Sequence, residues 1–186
     1  MVSADLPIPD APADLAVVRE FVNTTDRETD TDDLTTPAEL TDYLRGAGLL
    51  TGGSRATRDD LALARELRSG LRKALELNHD GGSRTIHLLD ETLARLPLAL
   101  RWNGDGPRLA PTGAGVRGAL AEIALAMHRA AAAGNWWRLK ICSSDECEWA
   151  YYDASKNRSR NWCEYGCGNR IKSRNYRTRR RESAPA

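Results

Sequence analysis

All four cysteines of the 186-residue chain lie in one stretch near its end. Cys142 and Cys147 have four residues between them, Cys163 and Cys167 have three, and 15 residues separate the two pairs. Two close cysteine pairs at this separation can bring four thiolates onto one tetrahedral Zn²⁺ ion. Four such ligands leave no position for water or substrate, so this chemistry is structural rather than catalytic. Two alternatives stay open. The pairs could be disulfides, or the site could be a zinc-bound thiol switch, which needs thiolate character and access.

Directly after Cys167 the sequence runs GNRIKSRNYRTRRR. Drawn as a helix, it puts Arg170, Arg174, Arg177 and Arg181 on one face, and Lys172, Arg179 and Arg180 widen the patch. Ile171 is its only aliphatic residue, so most of this helix has nothing to bury. The chain's net charge of +1 conceals the polarity. Residues 135–186 carry 12 Lys/Arg against six Asp/Glu, leaving 15 against 20 in residues 1–134. Lys156 to Arg181 holds ten basic residues and one acid, Glu164. A charge run is usually a solvated helix face, but such faces mix signs, and this one points to a polyanion. Arginine suits bidentate contact to phosphate and guanine. Lys156, Arg158 and Arg160 precede the helix and can add backbone contacts.

These groups need elements to hold them. Glu148 to Asp153 and Ser159 to Trp162 read as two strands of a hairpin around a turn at Ala154 to Arg158. The order is then a knuckle with Cys142 and Cys147, a hairpin, and Cys163 and Cys167 at a helix start, a treble-clef-like arrangement. About fifty residues so poor in aliphatics cannot fold on burial alone, and a metal supplies the missing free energy. Trp136, Trp137, Trp149, Tyr151 and Trp162 are the expected core around it.

Ahead of this module, residues 14–134 read as a mainly α domain with one small hairpin, after a flexible lead-in at 1–13. Helices are expected at Leu15–Thr24, Thr36–Arg45, from Thr57 to about Asn78, at Ser83–Leu96 and from Val116 to Ala131. Thr36 with Glu39 and Thr57 with Asp60 form capping boxes. Leu98, Leu100 and Trp102 alternate with polar or small residues before a Gly-Asp-Gly turn, the pattern of a β-hairpin. Thr25 to Thr35 is expected as an exposed loop. His79, His87 and His128 are too scattered for a catalytic constellation, and no enzyme is expected. With no secretory signal and no apolar run near the roughly 18 residues of a membrane span, a cytoplasmic location without membrane contact is expected, where thiols stay reduced.

Cys167-Gly168-Asn169-Arg170 resembles the tetrad that names the CGNR zinc-finger family. The likeness extends through Cys142, Cys147, the Asn157-Arg158-Ser159 segment, Trp162-Cys163 and the trailing Arg/Lys helix, giving a zinc-finger domain at 135–182. The front half resembles the family's companion ABATE domain at Phe21-Val22-Asn23-Thr24, at the Thr36-Pro37 start with Leu40, and at Ala47-Gly48-Leu49-Leu50. The resemblance implies a bacterial, stress-induced transcription regulator with one structural zinc and DNA as its partner. RNA is the variant partner. A zinc-stapled protein-interaction or small-ligand module is the alternative, with a homodimer and a small-molecule effector in the helical domain as further expectations. Asn23, Thr24, Arg101 and Trp102 are the residues expected to line such an effector pocket.

Overall fold

The computed structural model describes residues 11–79, 81–82 and 84–182, without the side chains of 175 and 180–182. Residues 1–10 of the expected lead-in and Ser83 therefore lie outside the described residues. Ala11 is already buried against the core.

The fold is mainly helical. Helix α1 (Ala13–Val22) lies along α5 (Gly115–Ala132), and α3 (Arg58–Leu77) packs against both α1 and the short α4 (His87–Leu93). Helix α2 (Pro37–Gly46) closes the bundle over α3 and α5. The helical period decides what is buried: Leu61, Ala64, Leu67, Leu71 and Leu75 of α3 face inward, as do Leu15, Val18, Phe21 and Val22 of α1. Each such buried aliphatic or aromatic side chain contributes about 1.5–3 kcal/mol.

The two capping boxes are present. Thr36 Oγ1 accepts from Glu39 N–H, whose carboxylate accepts from Thr36 N–H at 2.8 Å. Thr57 and Asp60 do the same for α3. Helix α4 is shorter than the expected Ser83–Leu96, because it begins after Ile86 with no side-chain cap, and Leu96 is buried from a turn instead. Strands β3 (Leu98–Trp102) and β4 (Pro107–Pro111) form the expected hairpin, with Leu100 opposite Leu109 and Trp102 opposite Pro107.

The loop expected at Thr25–Thr35 is exposed over most of its length, but its ends are tied into the fold. Thr25–Asp26 (β1) pairs with Thr31–Asp32 (β2), Leu34 is fully buried, and Asp32 meets Arg68 of α3. Three arginines of α3, at spacings of three and four, serve this corner: Arg65 donates to Leu34 O, Arg68 to Asp32 and Thr24, and Arg72 to Val22 O.

Helix α5 approaches the preceding loop so closely that a Cβ at Gly118 would sit 2.3 Å from the carbonyl oxygen of Gly113. Gly118→Ala therefore forces backbone apart, and it is expected to lower stability by about 1–3 kcal/mol in a denaturant titration.

After Gly134 the core continues into the cysteine module. Trp136, in a 3₁₀ turn at Trp136–Arg138, packs into the helical core. So do Leu139 and Ile141 of β5 (Leu139–Ile141) and Ala150 of β6 (Ala150–Tyr152). The chain ends in α6 (Cys167–Glu182). No described helix is long and apolar enough to cross a membrane.

Candidate metal centre and basic surface

The strand pairing around the cysteines differs from the one expected. β6 pairs antiparallel with β5, upstream of Cys142, so the knuckle itself is the hairpin turn. Ser159–Trp162 forms no strand; its backbone is fastened by Ser143 N–H to Asn161 O and by Tyr151 Oη–H to Arg160 O. The physical reason is that the side chains of Tyr151 and Lys140 take the Arg160 carbonyl and the Ser143 amide takes that of Asn161, leaving neither for a strand partner.

The pairing delivers the ligands. Cys142 follows β5 directly, and its N–H donates to Trp149 O across the hairpin. Cys147 lies in the turn, where Ser144 O accepts from Cys147 N–H at 2.9 Å and from Glu148 N–H at 3.0 Å. Cys163 ends the irregular loop, and Cys167 opens α6. Gly168 lets Trp162 lie against the first turn of α6, since a Cβ there would meet the indole at 3.3 Å.

All four sulfurs lie within 4.8 Å of one another, with Cys147–Cys163 and Cys163–Cys167 at 3.6 Å. A tetrahedral site with metal–sulfur bonds of about 2.3 Å has sulfur–sulfur edges of about 3.8 Å. The donor set therefore fits a four-coordinate soft-ligand metal. All four cysteines are unpaired thiols, and no disulfide is formed among them. Side by side, the four thiols differ sharply in acidity. Cys142 is pulled down to about 5, chiefly by its hydrogen bond from Cys163, while burial pushes Cys147 up to about 12. Cys163 is pushed higher still, first by donating that bond and then by burial. Four buried thiols cannot all ionise together until a metal ion compensates their charge.

The small core around the sulfurs contains Tyr151, with Trp149 and Trp162 packed against it. Trp136 and Trp137 are not in it: Trp136 belongs to the helical core, and Trp137 is exposed. Their position before β5 points them away from the knuckle.

Residues 15–134 match the ABATE family model, described as "Putative stress-induced transcription regulator", and that span is well over half of the chain. The chain belongs to the ABATE family. Residues 138–180 match the CGNR zinc finger model, so the ABATE domain is followed by the module that holds the sulfur cluster. No curated protein matches the chain.

In this ABATE protein the ten candidate basic residues divide by environment. Lys156, Arg158, Lys172 and Arg177 are exposed, Arg177 donating to Ser173 O of its own helix. Arg160 is half-buried, with its guanidinium 5.4 Å from the centre of the Tyr151 ring and bonded to Glu164. Arg170 reaches both Cys167 Sγ at 3.1 Å and Glu28 of the ABATE domain at 2.8 Å. Arg174 pairs with Glu146 of the knuckle at 2.9 Å. Arg179 is exposed, and the side chains of Arg180 and Arg181 lie outside the described residues.

The four residues expected to share an effector pocket are not brought together. Both polar ends of the Asn23 side chain bind Ala150, Oδ1 accepting from its N–H and Nδ2 donating to its carbonyl. Thr24 Oγ1 donates to Phe21 O and accepts from Arg68. Arg101 and Trp102 lie exposed on the β3–β4 hairpin, Trp102 at 75 %. Asn23 is thus a mimic of a β-strand partner, locking α1 to β6.

Sequence reasoning missed the rest of this seam. Arg72 donates to Glu148 O, Asn78 to Trp136 O and Leu139 O, and a ring nitrogen of His79 meets Ile141 O. It also missed Lys140 and Asp153, a buried ion pair at 3.0 Å. Burial works to raise the Asp153 pKa, but hydrogen bonds from Ser155 and Lys140 outweigh it and hold the carboxyl below its ordinary value. A lysine between apolar Leu139 and Ile141 was the available signal, since a mid-strand lysine facing inward requires a partner.

Proposed function

We propose that this protein is a non-catalytic, zinc-dependent DNA-binding regulator, acting in the cytoplasm, in which a treble-clef-like Cys142/Cys147/Cys163/Cys167 site holds one structural Zn²⁺. The ion closes the knuckle against the start of α6, and the chain's own residues make the contact. One observation carries the reading. Every described side chain from Lys172 to Arg179 is exposed, and no acid occurs in α6 before Glu182. A helix of 16 residues spans about 24 Å at 1.5 Å per residue, long enough to lie along a groove of duplex DNA. Phosphate contact supplies affinity; base reading would be added by the same arginines.

The test is a fluorescence-anisotropy titration of the zinc-loaded chain against duplex DNA between 50 and 200 mM salt. Four phosphate contacts give a log–log slope of about −3.6, or on the order of a 100-fold loss over that range. Lys172→Glu/Arg177→Glu should reduce the slope by at least about 1.8, at 0.9 per lost phosphate, while bound zinc stays unchanged. A wild-type slope near zero overturns the reading.

A second reading has its own observation. Arg170 binds Glu28 and Arg174 binds Glu146, so the first half of α6 already engages acids of the same chain. A protein-interaction module predicts that an acidic protein surface, not DNA, competes for this helix, and the same titration separates the two.

A further inference from the structure

We propose that the loop at 154–160 is a second polyanion-contacting element, and that Lys140, itself out of reach of any partner, is the positioning residue that shapes it. The proposal rests on the DNA reading above and extends it from one helix to a surface of two elements.

Lys140 is 1 % exposed and Asp153 0 %. The three protons of the Lys140 ammonium have three acceptors: Asp153 Oδ2 at 3.0 Å, Arg158 O, and Arg160 O at 3.3 Å. Asp153 completes the frame, Oδ1 accepting from both Ser155 N–H and its hydroxyl, and Oδ2 from Arg160 N–H at 3.0 Å. Arg138 fastens the carbonyls of Asp153 and Ser155 from the other side, at 2.9 and 3.0 Å. Arg158 takes a left-handed backbone, φ 53°, a conformation non-glycine residues hold only when the surroundings dictate it.

Stability alone does not call for this arrangement. A buried ion pair is replaceable by apolar residues of similar volume at little or no cost. What an apolar pair cannot do is hold two backbone carbonyls at fixed points. With the carbonyls of Arg158 and Arg160 turned onto Lys140, the side chains of Lys156 and Arg158 are exposed and have no protein partner among the described residues. Arg160 is spent on Tyr151 and Glu164, and that ion pair ties the loop to the turn that begins α6. The loop therefore contributes two cations.

The experiment uses the zinc-loaded full chain and the same salt titration. Lys156→Ala/Arg158→Ala should reduce the slope by about 1.8, at 0.9 per lost phosphate. Lys140→Met/Asp153→Leu keeps the volume and removes the frame. It should retain bound zinc, lose a similar part of the slope, and cause no further loss when combined with Lys156→Ala/Arg158→Ala. Ser155→Ala, a milder change that removes one Asp153 contact and the acceptor for Ser159 N–H, should lower the slope by part of that amount. A steep wild-type slope that Lys156→Ala/Arg158→Ala leaves unchanged overturns the loop while the α6 reading stands. An additive loss in the combined variant, or no change in Ser155→Ala, overturns the role of Lys140. A flat wild-type slope overturns both.

Discussion

Replacing Cys163 with serine is expected to release the metal and unfold the knuckle around Cys147 and the segment from Cys163 into α6, while residues 11–134 keep their core. Cys163 lies 3.6 Å from both Cys147 and Cys167, so its loss opens the cluster at its centre. The effect is large because little else holds the module. Its core has five buried residues, and four of them are the ligands themselves; only Tyr151, with Trp149 and Trp162 beside it, remains. Structural zinc contributes on the order of 10 kcal/mol or more in small zinc modules, far beyond what those aromatics supply. Unfolding should stop at the seam. Leu139, Ile141 and Ala150 belong to the helical core and are held by Asn78, His79 and Asn23. Metal analysis should find about one zinc per chain in the parent and none in Cys163→Ser. Hydrogen exchange should lose protection at the start of α6, where Asn169 and Arg170 N–H donate to Gly166 O, and retain it at Ala150, whose N–H donates to Asn23 Oδ1. Undiminished protection in α6 without metal would show that the cysteines are not its support.

How far the sequence reveals such a fold depends on how local the interaction is. The capping boxes at Thr36 and Thr57 and the β3–β4 hairpin rest on neighbours three or four residues apart or on a tight turn, and these were legible. So was the convergence of four cysteines, because few chemistries use two close pairs. The partner of β6 was not. Leu139–Ile141 is a three-residue strand that resembles the end of the preceding turn, and Ser159–Trp162 alternates like a strand although its carbonyls serve Lys140 and Tyr151. The basic tail was legible as charge, but not its division. Arg160, Arg170 and Arg174 look identical in sequence to Arg177, and only the fold places Glu164, Glu28 and Glu146 beside them. Asn23 was singled out as a site residue, yet its polar atoms are taken by Ala150, 127 residues away.

The same long-range blindness hid the ion pair between Asp32 and Arg68, and loss of its carboxylate should be among the costlier changes in the helical domain. Arg68 is 8 % exposed at its side chain and Asp32 30 %, and two nitrogens of the guanidinium meet the two carboxylate oxygens at 2.7 Å. This difference in exposure makes the two deletions unequal. Asp32→Ala leaves a buried guanidinium with Thr24 Oγ1 as its remaining acceptor, and it also strips the acceptor of Leu34 N–H. A buried charge left without its partner costs about 3–5 kcal/mol. Arg68→Met keeps the apolar stem and leaves a carboxylate that water reaches, with Arg65 at 3.9 Å; its cost should be about 1.5–3 kcal/mol, the range for hydrogen bonds to a charged group. Acid separates the two roles further. Burial works to raise the Asp32 pKa, but the hydrogen bonds and charge of Arg68 outweigh it and hold the carboxyl below its ordinary 3.8. A carboxyl depressed in the folded state contributes stability above its unfolded pKa and loses it as the pH falls through the folded value. The stability gap between the parent and Arg68→Met, measured by denaturant titration, should therefore be constant from neutral pH down to about 5 and shrink below about 4. A gap that widens on acidification, or an Arg68→Met cost equal to that of Asp32→Ala, would mean that the buried guanidinium is not what the carboxylate serves.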